Sequence, residues 1–148
     1  MTIMLKNYLV AFIDILGFKE RVKHDSEVPD GKQKFINILY ELHLETKKIK
    51  DSNSEIQVFQ FSDSVVISIP YSATRFIDFC EIVSNYQYRL FLSGILCRGG
   101  VSYGKHFSSD SFLFSTGMIH AYLIESREAI TPRVVISRDL MDCKRSII

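Results

Sequence analysis

Two aspartates interrupt apolar stretches that otherwise read as core. Asp14 sits in "LVAFIDILGF", Leu9–Phe18, and Asp63 in "FQFSDSVVIS", Phe59–Ser68. Asp is disfavoured inside strands and is almost never buried without a partner. If the fold brings the two together, their like charges repel, and a divalent cation relieves the repulsion. Carboxylates with no Cys or His beside them are hard oxygen donors, which suit Mg²⁺ or Mn²⁺. Two such ions can bridge a triphosphate, activate a hydroxyl and neutralise a leaving group. A helix is expected after Gly17, and its first N–H groups are open to phosphate oxygens. The same residues admit a plainer reading, in which Asp14 caps that helix and Asp63 makes a hairpin turn.

Other polar residues divide the same way. Arg98 lies in "CRGGVSYGK" beside paired glycines and reads either as a phosphate contact or as the ion-pair partner of a strand-end carboxylate. Lys105, after Gly104, is a second candidate cation or a solvated strand end. His106 and His120 lack a metal-ligand partner at helical spacing and read as structural or surface residues, and Glu125 as a support for helix packing. Tyr86, Tyr88 and Phe91 form an aromatic stripe that belongs to a core. Cys80, Cys97 and Cys143 are odd in number and widely spaced. They suit reduced thiols and a cytoplasmic protein better than a disulfide framework or a zinc site.

The elements that must position these groups are legible from periodicity. Tyr8–Ile15 reads as a buried strand, and "FKERVKHD" as one or two helical turns. A helix is expected from about Lys32 to Lys50, with Phe35, Ile38, Leu39, Leu42 and Ile49 on one face. "SNSE" is a loop. Ile56–Phe61 and Ser64–Ile69 form a tight hairpin around Ser62 and Asp63, closed by Pro70. A second long helix spans Ser72–Leu92, with Phe76, Phe79, Cys80, Val83, Tyr86 and Leu90 on one face and Gly94 as its stop. "ILCRGGVSYGKHF" is a strand with a paired-glycine interruption. "SFLF" is a short strand, Gly117–Ser126 a helix, "PRVVIS" a last strand and "RDLMD" the start of another helix. The order β-α-α-β-β-α-β-β-α-β predicts an α+β fold of the ferredoxin-like, palm type. Its sheet is antiparallel-centred with helices on one face.

With 148 residues, 47% hydrophobic and 24% charged, the chain fits one globular domain. A net charge of +1 gives no strong field toward nucleic acid or an anionic membrane. The N-terminal stretch is interrupted by Lys6, Asn7 and Asp14 and reads as neither a membrane span nor a signal peptide.

Four segments, in order, resemble the catalytic domain of the class III adenylate and guanylate cyclases. "FIDILGFKE" resembles their first metal-binding segment and "FSDSVV" their second. "CRGGVSYGK" is similar to their Arg-x-Gly-[Ile/Val]-x-x-Gly strand, and "STGMIHAYLIES" to the helix ending in Leu-Glu-Ser. The match runs from about Leu9 to Ser126, and it extends to small bacterial cyclase-like proteins, some of them pyrimidine nucleotide cyclases of phage defence. The resemblance implies a metal-dependent nucleotidyl cyclase that makes a cyclic mononucleotide and pyrophosphate from a nucleoside triphosphate. It implies two Mg²⁺ or Mn²⁺ ions on Asp14 and Asp63 with the Ile15 carbonyl, and a triphosphate loop at Leu16, Gly17 and Phe18. It also implies a homodimer in which Arg98 and Lys105 act as catalytic cations, one residue set reaching the partner's phosphates. Phe59 takes the position of the purine-reading Lys, which implies base selection by stacking and a preference for pyrimidines. Ile119 and Leu123 stand at the positions of the transition-state Asn and Arg. That departure keeps a second function class open, a catalytically degenerate nucleotide-binding or dimerisation module. A palm polymerase is the weaker third reading, since the chain has no Gly-Gly-Asp-Asp or Gly-Gly-Asp-Glu-Phe hairpin. The resemblance leaves the fuller fold short at its C-terminal end.

Overall fold

Our computed structural model describes residues 1–52 and 55–145, without the side chains of 50–52 and 143–145. Part of the expected "SNSE" loop and the Cys143 thiol therefore lie outside the described residues. The element order is β1 (Lys6–Ile15), α1 (Phe18–Glu27), α2 (Phe35–Ser52), β2 (Gln57–Phe61) and β3 (Ser64–Pro70). There follow α3 (Phe76–Leu92), β4 (Cys97–Ser108), β5 (Leu113–Ser115), α4 (Thr116–Glu128), β6 (Val134–Ile136) and α5 (Arg138–Arg145). The short helix expected after Gly17 is longer than one or two turns, running ten residues.

The sheet runs β2-β3-β1-β4-β5, antiparallel at each step, with β6 added parallel to β4. β1 is central, paired with β3 on one side and β4 on the other. Side chains alternate across it. Leu9, Ala11, Ile13 and Ile15 point to a core shared with Leu39 and Leu42 of α2 and with Phe76, Phe79, Val83, Tyr86 and Leu90 of α3. These apolar residues recur at helical spacing, and burying that stripe is what holds α2 and α3 on the sheet. A 3-10 turn at Ala73–Arg75 leads into α3. Gly94, at φ 76, ends it. The Gly94 N–H donates to the Phe91 carbonyl and the Ile95 N–H to the Leu90 carbonyl, both at 2.9 Å, the two bonds of a Schellman stop.

α2 and α3 cover one face as expected, and α4 is the exception. It lies on the opposite face, where Ala121 packs with Val10, Phe12 and Val66. The reason is in β4. Gly99 and Gly100 do not interrupt that strand, which is continuous over twelve residues. Gly100 lets α4 sit almost on its backbone: a Cβ there would stand 2.3 Å from the Ala121 carbonyl oxygen. Ser115 caps α4, accepting the Met118 N–H at 2.9 Å. Among the described residues no helix is long and apolar enough to cross a membrane.

Candidate active site

Asp14 ends the buried run of β1, and the register sets it between Ser64 of β3 and Arg98 of β4. The β2–β3 hairpin turns on Ser62 and Asp63. Ser62 takes φ 57, the left-handed region that favours glycine, so a glycine would fit here with less strain. The Ile15 N–H donates to the Asp63 carbonyl at 2.8 Å and latches the hairpin tip to the end of β1. The two side chains approach each other there closely enough for Asp63 to act on the Asp14 carboxyl.

This meeting is costly for charge. The Asp14 carboxyl is pushed up to about 6, first by burial, then by the charge and hydrogen bond of Asp63 and the charge of Glu125. Arg98 acts in the other direction. Its Nη2 lies 3.6 Å from Asp14 Oδ2, and its Nε lies 3.4 Å from Glu125 Oε1. Glu125 comes from α4 with its side chain only 4% exposed. Neither Arg98 Nε nor Glu125 Oε1 has an aligned hydrogen-bond partner, so the attraction is one of charge. Burial raises the Glu125 carboxyl, Arg98 lowers it and Asp63 raises it again. One guanidinium thus faces two carboxyl groups, and Asp63 adds a third acid that acts on both, an excess of negative charge that draws cations.

The segment after the strand is shaped by backbone bonds. The Leu16 N–H donates to the Leu96 carbonyl at 2.9 Å. Gly17, at φ 69, precedes α1 with no side-chain cap, so Asp14 does not cap that helix. Lys105 lies elsewhere. It pairs with Asn7, seven positions along β4 from Arg98, or about 23 Å at the usual rise per residue. By alternation it projects from the opposite face, so one chain does not bring it to the acids. Phe59 shares the face of Asp14. It packs against the Val10–Phe12–Val66 cluster and lines a cavity of about 150 Å³ with Gln57, Ser68, Ser108, Lys47 and Asp110. Ile119 is exposed on α4 and Leu123 half-buried.

Two polar partnerships went unread in the sequence, although their residues were read as structural. The first is that of Glu125, whose signal was the four-residue spacing of Gly117, Ala121 and Glu125, the buried stripe of α4. The second is a polar chain around buried His106. Its Nδ1 lies 2.7 Å from Ser115 Oγ and its Nε2 3.2 Å from Ser108 Oγ, and Ser108 donates to Gln57. Burial pushes His106 down to about 4, so the ring is neutral at pH 7. Among the described residues no three His, Cys, Asp or Glu side chains cluster closely enough to hold a metal by themselves.

No family model and no curated protein sequence matches this chain. Solved structures do. The adenylyl cyclase CyaB from P. aeruginosa superposes over 100% of this chain and 85% of its own, at 18% identity and a TM-score of 0.60. The dimeric guanylyl cyclase domain of the RhoGC fusion protein from the aquatic fungus Blastocladiella emersonii covers 96% and 84%, at 19% identity and a TM-score of 0.66. The guanylate cyclase domain of RhGC from Catenaria anguillulae, solved in complex with GTP, covers 82% and 73%, at 18% and 0.53. At these identities the likeness is one of architecture: this chain has the fold of the adenylyl and guanylyl cyclase catalytic domains.

Proposed function

We propose that this chain is a metal-dependent nucleotidyl cyclase, acting as a single cytoplasmic domain. The observation that carries the reading is the contact between the Asp14 and Asp63 carboxyl groups at the end of β1, inside a cyclase fold. In the reaction the ribose 3′-oxygen loses its proton and attacks the α-phosphorus, and pyrophosphate leaves. The donor set suits Mg²⁺ or Mn²⁺. Mg²⁺ is commonly held by one or two carboxylates, its other positions filled by water and substrate phosphates, so two acids and the Ile15 carbonyl suffice without a third acid. When bound, two such ions would lower the pKa of the 3′-hydroxyl and neutralise the leaving pyrophosphate. Asp14 and Asp63 hold and orient them, and the first-turn N–H groups of α1 after Leu16, Gly17 and Phe18 receive phosphate oxygens. Arg98 adds a cation at the α-phosphate side, restrained by Glu125.

Phe59 offers a base its ring face, and the cavity beside it offers the polar groups of Gln57, Ser68 and Ser108. The apolar side chains of Phe61, Ile119 and Tyr122 stay exposed on or beside this face. A second copy of the chain, burying more than about 1,000 Å² in total, would cover them. It would also bring its own Lys105 within reach of the first copy's phosphates. Sedimentation at micromolar concentration, with triphosphate and Mn²⁺ present, should show this homodimer; a monomer would remove it.

The second reading is a degenerate nucleotide-binding or dimerisation module. It is favoured by Ile119 and Leu123, which bring neither the amide of the Asn nor the charge of the Arg that the cyclases carry there. Incubation with each of the four ribonucleoside triphosphates and Mn²⁺, followed by mass spectrometry, separates the two. A cyclic mononucleotide from any of them supports the cyclase. Tight binding without product supports the module.

A further inference from the structure

Arg21, on the second turn of α1, is the least expected cation of this region. Its Nη1 donates to the Leu16 carbonyl at 2.5 Å and its Nη2 to the Gly94 carbonyl at 3.3 Å. The guanidinium lies over the Phe35 ring of α2, with Cζ 5.3 Å from the centroid. One side chain therefore joins the turn after β1, the stop of α3 and the start of α2. Among the described residues no carboxylate pairs with it. Its charge is solvated by two carbonyl dipoles and an aromatic face and is otherwise unspent.

The position of those bonds gives them meaning. Leu16 has both of its backbone groups engaged, the N–H by Leu96 and the C=O by Arg21. The next residue, Gly17, is in the left-handed region, and a Cβ there would stand 2.5 Å from Arg21 Nη1. The glycine thus makes room for the guanidinium, and the guanidinium holds the turn that the glycine permits. Just before this turn is Ile15, whose N–H is latched to the hairpin carrying Asp63. Just after it come the uncapped first-turn amides of α1. A turn free to rotate would scatter both sets of groups, and misplacement by about 1 Å is enough to cost a site much of its function.

Resting on the nucleotide reading above, we propose that Arg21 is a positioning residue. It fixes the Leu16–Phe18 turn so that the α1 amides face a triphosphate beside the Asp14–Asp63 pair, and it adds uncompensated positive charge behind them. Lysine keeps the charge but carries it on one nitrogen, without the planar fork whose two ends reach the two carbonyls here. Arg21→Lys therefore separates geometry from charge.

The test uses inorganic tripolyphosphate, which carries the phosphate chain without base or ribose, with Mn²⁺ and the full chain. Calorimetry should show Arg21→Lys and Arg21→Ala binding it about tenfold or more weakly than wild type. Arg21→Lys should melt within a few degrees of wild type. In ligand-free protein, hydrogen exchange at Gly17–Glu20 should speed up in both variants. Wild-type affinity in Arg21→Lys would show that charge alone suffices and overturn the proposal, as would unchanged exchange at Gly17–Glu20. A wild-type chain that binds no tripolyphosphate would overturn the triphosphate part of the proposal and the cyclase reading together. Faster exchange confined to Gly17–Glu20 would then still support the clamp.

Discussion

Arg98 Nε stands 3.4 Å from Glu125 Oε1, an ion pair that ties β4 to α4 beneath the acids. Glu125 is the more buried partner, so removing Arg98 strands a carboxylate away from water. Arg98→Ala should destabilise the fold by about 1–3 kcal/mol at pH 7, discounted because the arginine is one-third exposed. Chemical denaturation should show the loss shrinking near pH 4, where Glu125, already raised by burial, accepts a proton. An equal loss at both pH values would contradict the pairing.

Asp14 carries a cost that a cation would relieve. Its carboxyl is raised from 3.8 to about 6, so between those values the folded chain binds more protons than the unfolded one. Its contribution is then present below pH 3.8 and lost as pH rises through 6. In chelator, Asp14→Asn should raise stability at pH 7 by about 1 kcal/mol, after discounting for solvent, and change little at pH 4. Thermal melts at the two pH values check this. A variant less stable than wild type at pH 7 would contradict it.

His106 has the opposite sign. Burial holds it near 4, against an ordinary 6.5, so the unfolded chain takes up protons first as pH falls. Its contribution is full above pH 6.5 and is lost as pH drops toward 4. The loss should reach at most about 3 kcal/mol. His106→Gln removes this titration, and its denaturation midpoint should be flatter than that of wild type over the same interval. Parallel profiles would rule out His106 as the source.

Gly100→Ala places a methyl group against the Ala121 carbonyl oxygen, and backbone cannot step aside as a flexible side chain can. We expect a loss of about 3 kcal/mol, read by denaturant titration, with the Arg98–Glu125 pair disturbed along with α4. A variant as stable as wild type would mean that α4 does not sit as closely on β4 as described.

How much of this was readable from the residues follows from what each one touches. The hairpin, β1 and the stripes of α2 and α3 were legible because apolar spacing reports burial directly. The burial of Phe76, Phe79, Val83, Tyr86 and Leu90 matches the expected face of α3, and only Cys80 lies outside it, half-buried. The seat of α4 was not legible. Gly99 and Gly100 looked like a break, whereas the missing side chain of Gly100 is what admits the helix. Asp14 and Asp63 stood out because acids are rare in strands. Glu125 did not, because a Glu on a helix is ordinary. Arg21 was hidden for a different reason: its partners are main-chain carbonyls and a ring, and no residue type announces a carbonyl. The place of Lys105, seven positions along β4 from Arg98, was not legible either, since its neighbouring glycine says nothing about which end of the strand it occupies.

The most direct test of the account is the yield of cyclic mononucleotide, by mass spectrometry with Mn²⁺, from wild type, Asp14→Asn and Asp63→Asn under the triphosphate that wild type prefers. Because both carboxylates are proposed to hold the ions that activate the 3′-hydroxyl, each substitution should cut the rate by about 1,000-fold or more. Both variants should stay folded, and Asp14→Asn should be at least as stable as wild type. A wild type that makes no cyclic product from any of the four triphosphates, or an Asp14→Asn chain that cyclises at the wild-type rate, would contradict it.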